Sequence, residues 1–253
     1  MGIDENPRLY SISSSRYGDD GRGKTLSLCV KKLSKRNNSD VSQSDEINRG
    51  LCSDFLCGLK PGDKLKMTGP WVENDMLLRE EDYATDFIFV ASSTGIASVR
   101  GILRRLFAEN TRAGWNYSGK VWLFFGAANK DSLLYQNELT LLRNNYPQQF
   151  GLICAFIGGE KTKDGVKKVY IHDKMSPYVQ EIYEKLVSNG AHIYFSGFEE
   201  MMPGIESLFE EYCSSINVEY GQFKENLIRD GQWHSQVRNK PIFHIKFLVF
   251  CLM

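Results

Sequence analysis

Cysteine pairs, long apolar runs and net charge are all missing from this sequence, and each absence excludes something. The six cysteines (Cys29, Cys52, Cys57, Cys154, Cys213 and Cys251) form no C-x-x-C, and the four histidines no H-E-x-x-H. Neither a metal site nor a disulfide framework is therefore expected, and the compartment reads as reducing. The 31 basic and 31 acidic side chains cancel, so no net field recruits nucleic acid or a membrane surface. No stretch reaches the roughly 20 apolar residues of a spanning helix, so a soluble protein is expected. No signal or transit peptide is visible at "MGIDEN". The apolar run "IFHIKFLVFCLM" at 242–253 is too short to span and carries Lys246. The expectation is a tail that packs on the domain, or one that reflects an altered reading of the gene's end.

With 253 residues, the chain can form two domains of moderate size. Up to about residue 80 its strong segments read as strands: "RLYSISSS" (8–15), "TLSLCVKKL" (25–33) and, after the turn signal Pro61-Gly62, "DKLKMTG" (63–69). This pattern predicts an antiparallel barrel. The polar stretch "SKRNNSDVSQSDEIN" at 34–48 lacks periodicity and reads as an exposed loop. After Ala84 apolar runs alternate with helical periodicity: "FIFVA" (87–91), a helix through "ASVRGILRRLF", "VWLFFG" (121–126), a helix from Ser132, a strand near 152–156, a helix near 175–188, "HIYFSG" (192–197) and a helix from Met201. That alternation predicts a doubly wound parallel sheet. Such sheets bind nucleotides beyond the carboxyl ends of their strands.

Three side chains of the first row have chemistry suited to a flavin. The Arg8 guanidinium suits a pyrophosphate, the Tyr10 ring can stack on a tricyclic ring system, and the Ser11 hydroxyl can hydrogen-bond a reactive nitrogen. In a regular strand Arg8 and Tyr10 share one face and Ser11 starts the other, so a common ligand requires a bend. Taken alone, the row is better explained as an ordinary exposed strand face. A second segment, "RGLCSDFLCGLKPGD" (49–63), places Gly50 before a short helix starting near Cys52 and Ser53, where backbone N–H groups suit a pyrophosphate. A turn followed by a packed helix explains that segment equally well.

Taken together, "RLYS", "CVK" (29–31), "GLCSDFLC", "LKPGDKLKMTGP", "STGIA" (93–97), "FFGAANKDSLLY" (124–135), "KVYIHDK" (168–174), "YFSGFEEMMPGI" (194–205) and "QWH" (232–234) resemble the plant-type ferredoxin–NADP reductases. The resemblance runs from about residue 8 to 238. It implies a two-domain fold: an antiparallel FAD-binding barrel at 1–80, N-terminally incomplete because the family has further strands before "RLYS", then a doubly wound α/β NADP-binding domain at 84–238. Residues 239–253 form a C-terminal extension. The implied function is electron transfer between ferredoxin and NADP(H) through FAD, in a plastid stroma, with peripheral association with a membrane complex and no role for nucleic acid.

By the same resemblance Arg8, Tyr10 and Ser11 hold the flavin, Cys29 and Lys31 lie by its adenosine part, and Gly50, Leu51, Cys52 and Ser53 line the pyrophosphate. Thr94 and Gly95 approach the NADP pyrophosphate, and Lys168 and Tyr170 take the adenosine phosphate and adenine. Ser11 and Ser196 are the implied catalytic residues. Departures cluster at this centre: Ser93 stands for a glycine, Ser98 for a proline, Ser196 for a cysteine, Gln236 for a glutamate and Arg238 for a tyrosine. They raise an alternative, a catalytically impaired paralogue serving as a flavin- or nucleotide-binding module. Lys31, Lys32, Lys35, Arg36, Arg104 and Arg105 are candidates for a basic rim facing an acidic ferredoxin.

Overall fold

The computed structural model describes residues 8–32, 34–35, 48–49, 51–71, 83–110, 112–162, 165–238 and 246–250. Its centre is a five-stranded, wholly parallel sheet. The strands are β4 (Phe87–Ser92), β5 (Val121–Ala127), β6 (Phe150–Phe156), β9 (His192–Phe198) and β10 (Trp233–Arg238), in the spatial order β10-β9-β4-β5-β6. Strand β4 is central and buried at every position, as a continuous apolar run in a parallel sheet requires.

The two faces of β4 feed two separate cores. Phe87, Phe89 and Ala91 pack with Ile96, Val99 and Leu103 of α2 (Ile96–Leu103) and with Leu139 and Leu142 of α4 (Gln136–Asn145). Ile88 and Val90 face the other way. They join Ile171 and Met175 of α5 (Ile171–Met175), Ile182 and Leu186 of α6 (Val179–Ser188), Phe209 of α7 (Met202–Ser215) and Leu227 of α8 (Tyr220–Arg229). The strand period of two thus sends alternate residues of one run into opposite helix layers. Each fully buried Phe or Leu contributes about 1.5–3 kcal/mol. At the amino edge of the sheet, the buried Lys185 ammonium meets the Asp86 carboxylate at 2.7 Å and lies over the Trp122 ring. That pair fastens α6 to the start of β4.

Helix boundaries differ from the sequence expectation where short turns intervene. The helix expected from Ser132 begins at Gln136, after a 3-10 turn at Lys130–Ser132 capped by Asn129. The helix expected near 175–188 is two pieces, α5 and α6, parted by a turn containing Pro177. Helix α2 closes in a π turn at Arg104–Ala108.

The N-terminal half is antiparallel but less regular. Residues 8–32 hold little regular structure: turns and bends occupy most of 16–24, and an isolated antiparallel bridge joins Ile12 to Leu28. The two strands expected there are thus bridged segments rather than a continuous ladder. Short strands β1 (Ser34–Lys35) and β2 (Asn48–Arg49) pair antiparallel. They bracket residues 36–47, so most of the expected loop lies outside the described residues. Helix α1 (Leu51–Gly58) leads to β3 (Lys66–Trp71) through a turn in which Gly62 has φ +98, a left-handed conformation glycine adopts readily. From the apolar C-terminal run, β11 (Lys246–Phe250) pairs antiparallel with β3. The tail therefore packs on the N-terminal half. No helix among the described residues is long and apolar enough to cross a membrane.

Candidate nucleotide and flavin site

The chain runs from β4 outward through β5 and β6, then returns to the opposite side of β4 as β9. The carboxyl ends of β4 and β9 therefore flank the reversal point where open α/β sheets receive nucleotides. Backbone fits tightly there. A Cβ on Gly95 would collide with the Ser196 carbonyl, and one on Gly197 with the Ser92 hydroxyl. Ser92 Oγ accepts a hydrogen bond from Phe198 N–H at 2.9 Å. Glycine is needed at both positions, because a side chain would push the two strand ends apart.

Thr94 and Gly95 sit in the 3-10 turn Ser93–Gly95 that enters α2, and no side chain caps that helix. Its first backbone N–H groups face the crevice end of the sheet, which suits an anion. Ser93 has φ +51. The position where the resemblance expects glycine thus keeps a glycine-like backbone. Ser98 is buried inside α2.

Ser196 is buried in β9, in register with Ala91 on one side and the buried Gln236 of β10 on the other. The structure therefore brings Ser196 and Gln236 together. Arg238 pairs by backbone with Phe198, and its side chain lies outside the described residues. Lys168 is exposed at the entrance to α5. Tyr170 N–H donates to Asp173, capping α5, while the half-exposed Tyr170 ring stacks on His172 at 5.4 Å and 6°. This flat aromatic shelf beside a lysine suits an adenosine phosphate. The stacking of His172 shows only in the structure; its two-residue spacing from Tyr170 is the one local signal in the sequence.

On the N-terminal side Arg8 is exposed, while Tyr10 and Ser11 are both buried. Strict alternation along the row therefore fails, and the segment bends. The Tyr10 ring packs with Cys52, Leu28, Val30 and Phe55 in a small cluster, so in this structure it rests on protein. Cys52 and Ser53 are buried in the first turn of α1. Leu51 opens that helix, and Gly50 lies outside the described residues. Cys29 is buried beside Tyr135, and burial holds its thiol above the ordinary range. Lys31 is exposed, with its ammonium 5.9 Å from the Phe198 ring. Lys31 thus reaches the end of β9 and bridges the two halves.

Two expected basic-rim members are occupied. Lys32 pairs with Asp54, and Arg104 pairs with Asp19 and Glu138 at 3.5 Å each. His234 is half-buried between neighbours: its Nε2 lies 3.1 Å from Nδ1 of His192, and its ring stacks on Tyr194 at 4.1 Å. Among the described residues no group of three or more His, Cys, Asp or Glu is gathered to hold a metal.

The family model for an oxidoreductase NAD-binding domain matches residues 89–207, from within β4 into α7. A chloroplastic root isozyme 1 of ferredoxin–NADP reductase from Arabidopsis thaliana is 44% identical over 236 residues, covering 93% of this chain and 61% of its own length. The chloroplastic reductase of Chlamydomonas reinhardtii is 42% identical over 230 residues, covering 91% of this chain and 63% of its own. Over nearly all of its length the chain is similar to ferredoxin–NADP reductases. A crystal structure of a mutant Plasmodium falciparum ferredoxin–NADP+ reductase bound to 2'P-AMP superposes with a TM-score of 0.68 at 25% identity, over 91% of this chain and 77% of that one. The antiparallel segment followed by a five-stranded parallel domain fits the two-domain reductase fold. The chain spans about three fifths of the length of the curated proteins it matches.

Proposed function

We propose that the protein is a flavin-dependent oxidoreductase of the ferredoxin–NADP reductase type, with FAD and NADP(H) as cofactors, ferredoxin as protein partner and a plastid as its compartment. Gly95 carries the reading, pressed against the Ser196 carbonyl at the sheet's reversal point with Gln236 alongside. The start of α2, with no side-chain cap, offers its backbone N–H groups to a nucleotide's pyrophosphate, and Ser196 lies close by near the carboxyl end of β9. The donor set fits the groups: a helix start with no side-chain cap, the Tyr170–His172 shelf and Lys168 for NADP(H), and Arg8, Ser11, Lys31 and the first turn of α1 for FAD.

FAD, when bound, supplies the exchange between one-electron and two-electron chemistry. The chain's own residues bind and orient. Arg8 and the backbone at Gly50, Leu51, Cys52 and Ser53 hold the diphosphate, Cys29 and Lys31 lie along the adenosine side, and Tyr10 and Ser11 border the ring. Thr94 and Gly95 receive the second pyrophosphate. Ser196 and Gln236 keep the approach to the ring narrow and largely dry, which favours alignment of the reacting groups. Residues 1–80 form the flavin half in this reading, 84–238 the nucleotide half and 239–253 an extension.

The relatives cited above carry the reductase name, which favours turnover over a non-catalytic binding module. The test is reconstitution. Protein loaded with FAD is expected to be yellow and to reduce an artificial dye with NADPH. Protein that retains no flavin after incubation overturns the reading, and yellow protein inert with NADPH and NADH replaces it with the binding module.

A further inference from the structure

Five residues into α2 from the crevice turn, Arg100 is buried yet touches both halves of the molecule. Its Nε donates to Glu138 at 2.8 Å, and its Nη1 donates to the Ser13 carbonyl at 2.8 Å and to Asp19 at 2.9 Å. The Tyr135 ring covers the guanidinium at 4.6 Å. Tyr135 itself has φ +56, and its phenol lies beside Cys29 and Ser13. The next residue on the helix, Gly101, approaches so closely that an added Cβ would stand 3.0 Å from the Ser14 carbonyl. Helix α2 is thus laid directly on the backbone of residues 13–14.

We propose that Arg100 is a positioning residue: by clasping the Ser13 carbonyl, Asp19 and Glu138 at once, it fixes the Arg8–Ser15 segment on the helix that starts at the nucleotide crevice, and so sets the spacing between the flavin and nicotinamide rings. The proposal rests on the reductase reading for its redox consequence, but not for its geometry. Ser13 stands two residues from Ser11, and Arg100 five residues from Gly95, so a single side chain links the proposed flavin segment to the turn proposed to receive the second pyrophosphate. The planar guanidinium serves its three acceptors through two nitrogens held rigidly apart, Nε toward Glu138 and Nη1 toward Ser13 and Asp19, a spread that the single nitrogen of an ammonium does not reproduce. A lysine keeps the charge and loses the fork. Arg104 lies against the same two carboxylates at longer range. It leaves the local charge balanced and does not reach Ser13.

The test compares Arg100→Lys and Glu138→Gln with the parent protein. Amide exchange, read without flavin, is expected to speed up about tenfold or more over residues 11–28 in Arg100→Lys while β4 keeps its protection. In FAD-loaded protein the same variant should lose about tenfold to a hundredfold in kcat with NADPH, at a nearly constant KM. The long-wavelength band of stacked reduced nicotinamide and flavin should fade in parallel. Glu138→Gln, which retains one acceptor, should fall between parent and Arg100→Lys. Unchanged exchange over 11–28 overturns the proposal, and so does an equal loss over 11–28 and β4, which would mean a general structural role. If the FAD-loaded parent itself transfers nothing, the reductase reading falls and the exchange pattern alone decides the clamp.

Discussion

In the α/β domain, residues 87–91 are shut between two helix layers, and the buried set is almost wholly aliphatic and aromatic. In the N-terminal half the buried described side chains are those of Tyr10, Cys29 and Cys52, with Ser11, Ser13, Ser14 and Ser53. One region is held by its own apolar interior. The other is held largely by polar contacts with its neighbour, through Arg100, Lys31 and the close backbone approach at Gly101. Apolar burial is strong and indifferent to direction, whereas hydrogen-bonded and ionic contacts are weaker and fix orientation. The sheet therefore supplies stability and the polar seam supplies alignment.

Attacking the apolar side should give the largest effect. Phe89→Ala, at the middle of β4 where the side chain is fully buried, should cost about 3–5 kcal/mol, read by denaturant unfolding. A loss below about 1 kcal/mol would mean that the sheet core is not the main source of stability. The N-terminal half should respond to ligand instead. FAD at a hundredfold excess over its Kd should add about 2.7 kcal/mol, seen as slower exchange over residues 8–32 with little change in β4. Equal slowing of both would erase the contrast between the two regions.

A smaller change tests the crevice turn. Ser93 is held in the left-handed region, which costs a non-glycine residue roughly 1–2 kcal/mol. Ser93→Gly should recover about 1 kcal/mol after the greater backbone freedom of glycine in the unfolded chain is deducted.

Acid should loosen the seam before the sheet. Burial alone would raise the Asp19 pKa, but hydrogen bonds from Ser27 and Arg100, with the charges of Arg100 and Arg104, hold it below the ordinary carboxylate value of 3.8. A carboxylate depressed in the folded state stabilises above its unfolded pKa, and that contribution disappears as pH falls through the folded value. Once the intrinsic pH dependence of amide exchange is divided out, protection over residues 11–28 should be constant between neutrality and about pH 5, then fall below about pH 4. A seam insensitive to pH down to 3 would remove Asp19 from the clamp.

What the sequence made legible follows from the range of the interactions involved. The run "FIFVA" declares a buried parallel strand because five successive apolar residues can be satisfied only between two covers. The reversal-point turn is legible through Gly95, and Ser93 through the glycine it replaces. Helix ends were misjudged where capping by Asn129 or a turn at Pro177 overrode the apolar pattern. The row at 8–15 misled in its alternation, because its partner strand touches it at the Ile12–Leu28 bridge and its backbone bends to place Tyr10 and Ser11 both inside. Arg100 was invisible. Its acceptors at Ser13, Asp19 and Glu138 lie 87, 81 and 38 residues away in the chain, and a lone arginine on a helix looks like any solvated charge.

The pairing of β11 with β3 has a consequence for biosynthesis. Between Trp71 and Lys246 lies the whole α/β domain, so the first half of the molecule leaves the ribosome well before the strand that covers its edge exists. During that interval the edge of β3 that β11 will cover presents open hydrogen-bonding groups, which a chaperone or another chain can occupy until β11 is made.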